Sequence, residues 1–304
     1  MSRRWRLLIT LPVLLGGVIL LVDQRESPPP HRAEWLHAKD VTLRAVRAGE
    51  GEPTLLLLHG YAESLLAYQP ILDRLARHNA VLAVDLPGFG LSDKPDTGYT
   101  LEDFVARIEA VLDEDISGPV VVVGHSMGGE IAAALALARP DRVTGLVLID
   151  AAGYGLSPAF TTVVEEGSGA LGWINAAIGV VLPLHDPGWL EESPEHAAYD
   201  PLTDPRYRAA STQVLRAFDF AALRTSFQDI RQATLLIWGA NDPTVPLAFG
   251  EAIHDLVPCS RLVVLPRMLH RPHQTSPDTV AFEIERFMGD PPGCPATDGP
   301  PSHR

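Results

Sequence analysis

The stretch VVVVGHSMGGEIAAALALA, Val120 to Ala138, passes from an unbroken apolar block through a serine flanked by glycines into an alanine-rich segment. The β-branched block suits a strand buried on both faces, and the alanines suit a helix. Gly124, Ser126 and Gly128 at the junction fit the G-x-S-x-G pattern, in which a sharp strand-to-helix turn lifts a serine hydroxyl out of a sheet. Such an elbow strains the backbone at Ser126. Gly124 and Gly128 remove side chains that would collide there, and Gly129 lets the next turn pack closely.

Working outward, similar apolar blocks recur. Val41 to Val46 reads as an early strand, followed by a turn at Gly49-Glu50-Gly51. Thr54 to Leu58, Ala80 to Val84, Val143 to Ile149, Thr234 to Trp238 and Arg261 to Leu265 continue the series. Between them run amphipathic patterns at Leu65 to Arg77, Leu101 to Leu112 and Ile131 to Arg139. Strand and helix in alternation predict an α/β fold, a mostly parallel doubly wound sheet with helices on both faces. The rhythm breaks from Gly153 to about Gln232, where no buried-strand block occurs and apolar helical material has Pro-rich joints. This predicts an inserted helical cap at 153–232, with the core formed by 31–152 and 233–289. Within the cap, Ala170 to Leu182 is apolar nearly all round, as a core helix or a lid surface would be. The Pro- and Gly-rich tail, 290–304, is expected to be disordered.

At 304 residues the chain can bury a substantial core. Its net charge of -14, with no Lys/Arg block inside the domain, argues against nucleic acid as a partner and for a small or neutral one. Cys259 and Cys294 are too few for a disulfide framework or a zinc site, so neither metal nor cofactor is expected. At the N-terminus, Arg3, Arg4 and Arg6 precede an apolar run from Leu7 to Val22, and Ser27-Pro28-Pro29-Pro30 follows as a stiff spacer. No small-x-small cleavage signal follows the run. Residues 1–30 are therefore read as an uncleaved signal anchor plus spacer, with a cleaved export signal second. The Ser2-Arg3-Arg4 start also resembles a twin-arginine signal. The domain is expected on the extracytoplasmic side, membrane-anchored or exported. The sequence leaves the oligomeric state open.

The motifs HGYAES (His59 to Ser64), DLPGFGLSDKP (Asp85 to Pro95), GHSMGG (Gly124 to Gly129), WGANDPTVP (Trp238 to Pro246) and HRPHQTSP (His270 to Pro277) stand in the order found in the α/β-hydrolase superfamily. The chain resembles its members with a helical cap from about Trp35 to Met288, the cap matching only in length and position. A serine nucleophile needs a base, and the base an orienting acid. The resemblance implies Ser126 as nucleophile, Asp242 as acid and His270 as base, with Asp150 the rival acid. His273 is implied as a helper near the following helix. The family string before the base has a glycine where this chain has Leu269. The backbone N–H of Met127, at a helix N-terminus, would supply one oxyanion donor, and by resemblance that of Tyr61 the other. His59 is implied to orient that loop, while Asp85 and Gly88 read as turn determinants. His125, His185 and His196 read as structural or pocket-lining.

Serine at the elbow implies an acyl-enzyme route and excludes the aspartate-nucleophile reactions of epoxide- and halide-processing relatives. A carboxylic ester hydrolase on moderately hydrophobic, lipid-like esters is the expected activity, its acyl range depending on cap side chains such as Trp173, Trp189 and Phe218. A carbon-carbon bond hydrolase or cofactor-free perhydrolase on the same triad is the alternative. A catalytically silent, membrane-tethered binding module is the alternative of another class, and the complete Ser, Asp and His set argues against it.

Overall fold

The computed structural model describes residues 31–166, 189–191, 199–201 and 203–294. The N-terminal segment, the helix expected at Ala170 to Leu182, Trp173, His185, His196 and the tail beyond Cys294 lie outside the described residues. Among the described residues, no helix is long and apolar enough to cross a membrane.

The strands are β1 His31–Ala38, β2 Val41–Ala48, β3 Thr54–Leu58, β4 Val81–Val84, β5 Val120–His125, β6 Val143–Ile149, β7 Leu190–Glu191, β8 Ala233–Gly239 and β9 Ser260–Leu265. The helices are α1 Gln69–Leu75, α2 Leu101–Glu114, α3 Met127–Ala138, α4 Pro158–Glu166, α5 Pro205–Ala217, α6 Leu247–Leu256, α7 Pro272–Thr275 and α8 Pro277–Gly289. The strands form one sheet in the order β7-β1-β2-β4-β3-β5-β6-β8-β9. Pairing is antiparallel from β1 to β2 and from β2 to β4, and parallel elsewhere.

The apolar blocks are strands because they are buried twice over. In β3, Leu56 and Leu58 join the hydrophobic core on one face of the sheet, and Leu55 and Leu57 join that on the other. Val122 and Val123 divide in the same way in β5. A polar residue at either parity would lose its hydration, so the alternating pattern of a half-exposed strand is absent. On one face α2 and α3 cover the sheet, where Phe104, Ile108 and Ile131 are fully buried. On the other α1 and α8 do so, through Ile71, Leu72, Ile284 and Phe287. Helix α2 starts at a capping box in which Thr100 and Asp103 each bond the other's backbone N–H.

Two details differ from the sequence reading, and a third adds to it. β1 precedes the first expected strand; only Leu36 and Ala38 of its residues are buried, so it carries no buried-block signature. The interval expected to lack strands contributes β7, whose Leu190 and Glu191 pair with His31 and Arg32. Finally, Cys259 and Cys294 form a disulfide. The bond ties Cys294, near the start of the tail expected to be disordered, to the residue before β9; the tail beyond it lies outside the described residues.

Candidate active site

β5 ends at His125 and α3 begins at Met127, leaving Ser126 alone to make the turn at φ 51 and ψ -118. A side chain in this region is strained, and the neighbouring strand holds it there. The Ser126 N–H donates to the Ile149 carbonyl (3.0 Å), and the Ser126 carbonyl accepts from Ala152 N–H (3.0 Å). A Cβ at Gly124 would strike the Gly128 carbonyl, and one at Gly128 would strike the carbonyls of Leu58 and His59. Both glycines are required by close backbone approach.

His270 lies on the loop between β9 and α7, and Asp242 on the loop after β8. The structure brings these two and Ser126 together. The His270 Nε2 is 2.9 Å from Ser126 Oγ, and its Nδ1 is 2.7 Å from Asp242 Oδ2. The other Asp242 oxygen, Oδ1, accepts from the backbone N–H groups of Thr244 (2.7 Å) and Val245 (3.1 Å). With Asp242 accepting at Nδ1, the neutral ring carries its proton there and presents a bare Nε2 to the hydroxyl. Burial lowers the His270 pKa below the ordinary histidine value, the Asp242 carboxylate offsetting part of that effect.

Leucine is accommodated at position 269 because its side chain is 57% exposed and the left-handed turn of the loop falls at Arg267, φ 63. The loop backbone approaches closely at Gly239, where a Cβ would meet the carbonyls of Leu269 and Met268.

Asp150, the rival acid, ends β6 at φ 43 and is fully buried. Its Oδ1 accepts from Gly239 N–H (2.8 Å), whereas its Oδ2 has no conventional partner. Burial first, and the neighbouring Asp242 charge second, push its pKa well above the carboxylate range.

Met127 occupies the first position of α3, where backbone N–H groups have no intrahelical acceptor. Tyr61 is half-buried on the loop after β3; its hydroxyl donates to the Ser211 carbonyl (3.3 Å), and its ring meets Phe89 edge-on at 5.6 Å. His59 Nε2 accepts from Leu86 N–H (2.9 Å), so its Nδ1–H donates to the Gly60 carbonyl (2.8 Å). This fixes the loop and leaves His59 with no proton to exchange at the serine. Asp85 accepts from Leu65 N–H (2.7 Å), Leu91 N–H (2.8 Å) and Arg44 Nε–H (2.7 Å), a turn-holding role. Gly88 sits at φ 90, and a Cβ there would crowd Tyr99 and Ala210.

Helix α5 covers the Tyr61 loop. The Tyr207 hydroxyl donates to the Ala62 carbonyl (3.3 Å), and its ring meets Phe89 at 6.0 Å. The aromatic side chains Tyr61, Phe89 and Tyr207 thus stand between the loop and α5. Two expected pocket residues lie elsewhere. Trp189 packs on His31 at 4.7 Å, at the β1 rim, and Phe218 packs on Phe104 and Phe220 in the core.

Sequence reasoning missed the group behind His270. His125 Nδ1 is 2.9 Å from Glu63, and its Nε2 is 2.7 Å from the His270 carbonyl. His273 packs against His125, ring centroids 4.5 Å apart and tilted by 48°, and makes no hydrogen bond to Ser126. Burial and then the charge of His125 hold the His273 pKa well below the ordinary value. Glu63, His125 and His273 form one cluster of metal-ligand types, and Asp150, Asp242 and His270 another. In the first cluster His273 Nδ1 is buried without a hydrogen-bond partner, as Asp150 Oδ2 is in the second. The one available signal was Gly60, where a Cβ would press on His125 Nδ1 at 2.7 Å and Glu63 at 3.0 Å.

Residues 55–283 match the sequence profile described as the alpha/beta hydrolase family. The 2-(acetamidomethylene)succinate hydrolase of Mesorhizobium japonicum is 27% identical over 82% of this chain and 92% of that protein. The 2-hydroxy-6-oxo-2,4-heptadienoate hydrolase of Pseudomonas putida is 28% identical over 73% and 83%. Among solved structures, a bacterial membrane phospholipase A superposes with a TM-score of 0.71 at 25% identity, over 85% of this chain and 86% of that one.

Proposed function

The chain belongs to the alpha/beta hydrolase family and is a hydrolytic enzyme; from that premise we propose that it is a serine hydrolase of carboxylic esters, acting on moderately hydrophobic, lipid-like acyl groups. The observation that carries the proposal is the unbroken hydrogen-bond path from Asp242 through His270 to a strained Ser126. A serine base of this geometry supports acyl transfer.

In the proposed cycle Ser126 Oγ attacks the ester carbonyl while His270 Nε2 takes the hydroxyl proton. The backbone N–H groups of Met127 and Tyr61 receive the oxyanion. Collapse expels the alcohol, to which His270 returns the proton, and an acyl-enzyme remains on Ser126. Water, deprotonated by His270, attacks that ester, and the acid leaves as Ser126 regains its proton. Neither metal nor cofactor takes part.

Lipid-like substrates are supported by the aromatic cover over the Tyr61 loop and by the likeness to the phospholipase A structure. The similarity to the heptadienoate hydrolase favours a second reading, cleavage of a carbon-carbon bond next to a carbonyl by the same residues. We also propose an extracytoplasmic domain held by the N-terminal segment as an uncleaved signal anchor. The basic start with its apolar run supports this, as does the Cys259–Cys294 disulfide, which suits an oxidising compartment. Membrane fractionation of the full chain, retained in the pellet after a high-salt wash, is the expected outcome.

The test of the activity is hydrolysis of p-nitrophenyl esters of increasing acyl length by the chain from Pro28 onward, with Ser126→Ala as blank. Activity that vanishes in the blank and peaks at medium or long acyl groups supports the ester reading. No turnover above the blank removes it and leaves the carbon-carbon reading to be tested on a dienoate.

A further inference from the structure

A buried carboxylate touching three loops of a reaction site at once is unusual, because each loop could be held more cheaply by apolar packing. Glu63 does this. Its Oε2 accepts from the Gly60 backbone N–H (2.9 Å) and from His125 Nδ1–H (2.9 Å). Its Oε1 accepts from Arg271 Nε–H (2.9 Å) and from Gln274 Nε2–H (3.1 Å). Each of the first three donors adjoins a residue of the proposed chemistry: Gly60 precedes Tyr61, His125 precedes Ser126, and Arg271 follows His270. The path also closes on itself. His125 Nε2 lies 2.7 Å from the His270 carbonyl, which can only accept, so the ring bridges Glu63 to the His270 backbone. Burial pushes the Glu63 carboxyl up, but His125 and Arg271 outweigh it and hold the pKa well below the usual range.

We propose that Glu63 is a positioning residue: through its four donors it fixes the Tyr61 loop, the Ser126 elbow and the His270 loop relative to one another. The proposal rests on the serine-hydrolase reading, since it assigns Glu63 a purpose only where those three loops must meet at one reacting carbon. Misplacement of such loops by about 1 Å costs on the order of 10²-fold in rate. Gly60 is part of the device, because any side chain there would displace His125 from the carboxylate.

Glu63→Gln keeps the volume but turns an NH₂ group toward one of the two donor pairs, leaving two donors facing a donor. The probe is an alkyl fluorophosphonate, whose fluoride is displaced by the Ser126 oxygen. Its inactivation rate constant and its reversible binding constant are measured separately in the full chain, with thermal melting beside them. We expect the inactivation rate to fall about 10²-fold in Glu63→Gln with binding unchanged within about threefold, and Glu63→Asp, which keeps the charge, to fall less. Where Glu63→Gln does not fold, Glu63→Asp carries the test, with a loss of at least fivefold in the rate constant alone. An unchanged rate constant in a folded variant overturns the proposal, as does a loss matched by equal loss of binding, which marks general collapse of the site. Failure of the unmodified chain to label at all overturns the serine reading instead.

Discussion

Asp242→Asn exchanges one oxygen for an NH₂ at nearly constant volume, and the surroundings decide which way the amide turns. The backbone N–H groups of Thr244 and Val245 both point at Oδ1, at 2.7 and 3.1 Å. An NH₂ there would face two donors, so the amide oxygen must take that place. The nitrogen is then turned to His270 Nδ1, 2.7 Å away in the native chain, and donates to it. The imidazole answers by carrying its proton on Nε2, 2.9 Å from Ser126 Oγ, where it can no longer accept the hydroxyl proton. In a Ser-His-Asp triad this wrong tautomer costs about 10⁴-fold in kcat, or about 5 kcal/mol of barrier. We expect that loss on the best p-nitrophenyl ester, with KM within about threefold and the melting temperature within a few degrees. Asp150→Asn is the companion variant. Its amide keeps an oxygen for the Gly239 N–H at nearly constant volume, so activity is expected within about threefold of the native chain. Retention of a tenth or more of the activity in Asp242→Asn, or a heavier loss in Asp150→Asn, would refute the assignment of the acid.

Three further outcomes are expected. Because burial lowers the His270 pKa, its neutral, proton-accepting form persists as pH falls; the acid limb of kcat/KM therefore lies below the ordinary histidine value of 6.5, and a midpoint above 7 in a pH–rate profile would contradict this. Gly128→Ala drives a Cβ into the carbonyls of Leu58, the last residue of β3, and His59, buried backbone with little room to yield, and is expected to cost about 2–3 kcal/mol and lower the melting temperature by roughly 4–6 °C. Cys294→Ser opens a loop with a sequence separation of 35, worth about 3–4 kcal/mol by loop-closure entropy. Cys259 borders the start of β9, at the opposite end of the parallel strands from Ser126, so melting should shift while kcat does not.

What could be read from the sequence was whatever a strand or turn declares locally. The central strands show because burial on both faces leaves only apolar residues, and the elbow shows because its glycines are forced by backbone contact within a few residues. β1 does not show, since HRAEWLHA lies at the rim, where charged residues at most positions cost nothing. Ser126, His270 and Asp242 were legible only through motif order, and the structure adds the distances between them. The Glu63 network was invisible for a different reason. His125 lies 62 residues from Glu63 in the chain, and His270 lies 145 from His125. No periodicity or local spacing links groups so far apart, and a lone histidine beside a serine reads equally well as packing. The Cys259–Cys294 link has the same character, because two cysteines state a possibility and only the fold brings them together.

The two-residue strand β7 has a consequence for how copies of this protein behave in a crowded solution. A sheet grows from its margins, where a long, flat outer strand offers a ladder of free amides and carbonyls to any neighbour. Here one margin of the described sheet has been cut to Leu190 and Glu191, which sit on the first two residues of β1, with Arg32 and Glu191 paired at 2.9 Å. A strand visiting at β7 would find too short a template and a pair of charges, whereas Ala33 to Ala38 of β1 have no described strand beside them on that side. At the other margin β9 leaves Val264 exposed, and Arg261 reaches the Asp290 carbonyl of the segment that the disulfide ties down. The inserted segment thus blunts one corner of the described sheet against edge-to-edge pairing, with a fragment of the same interval that covers the site.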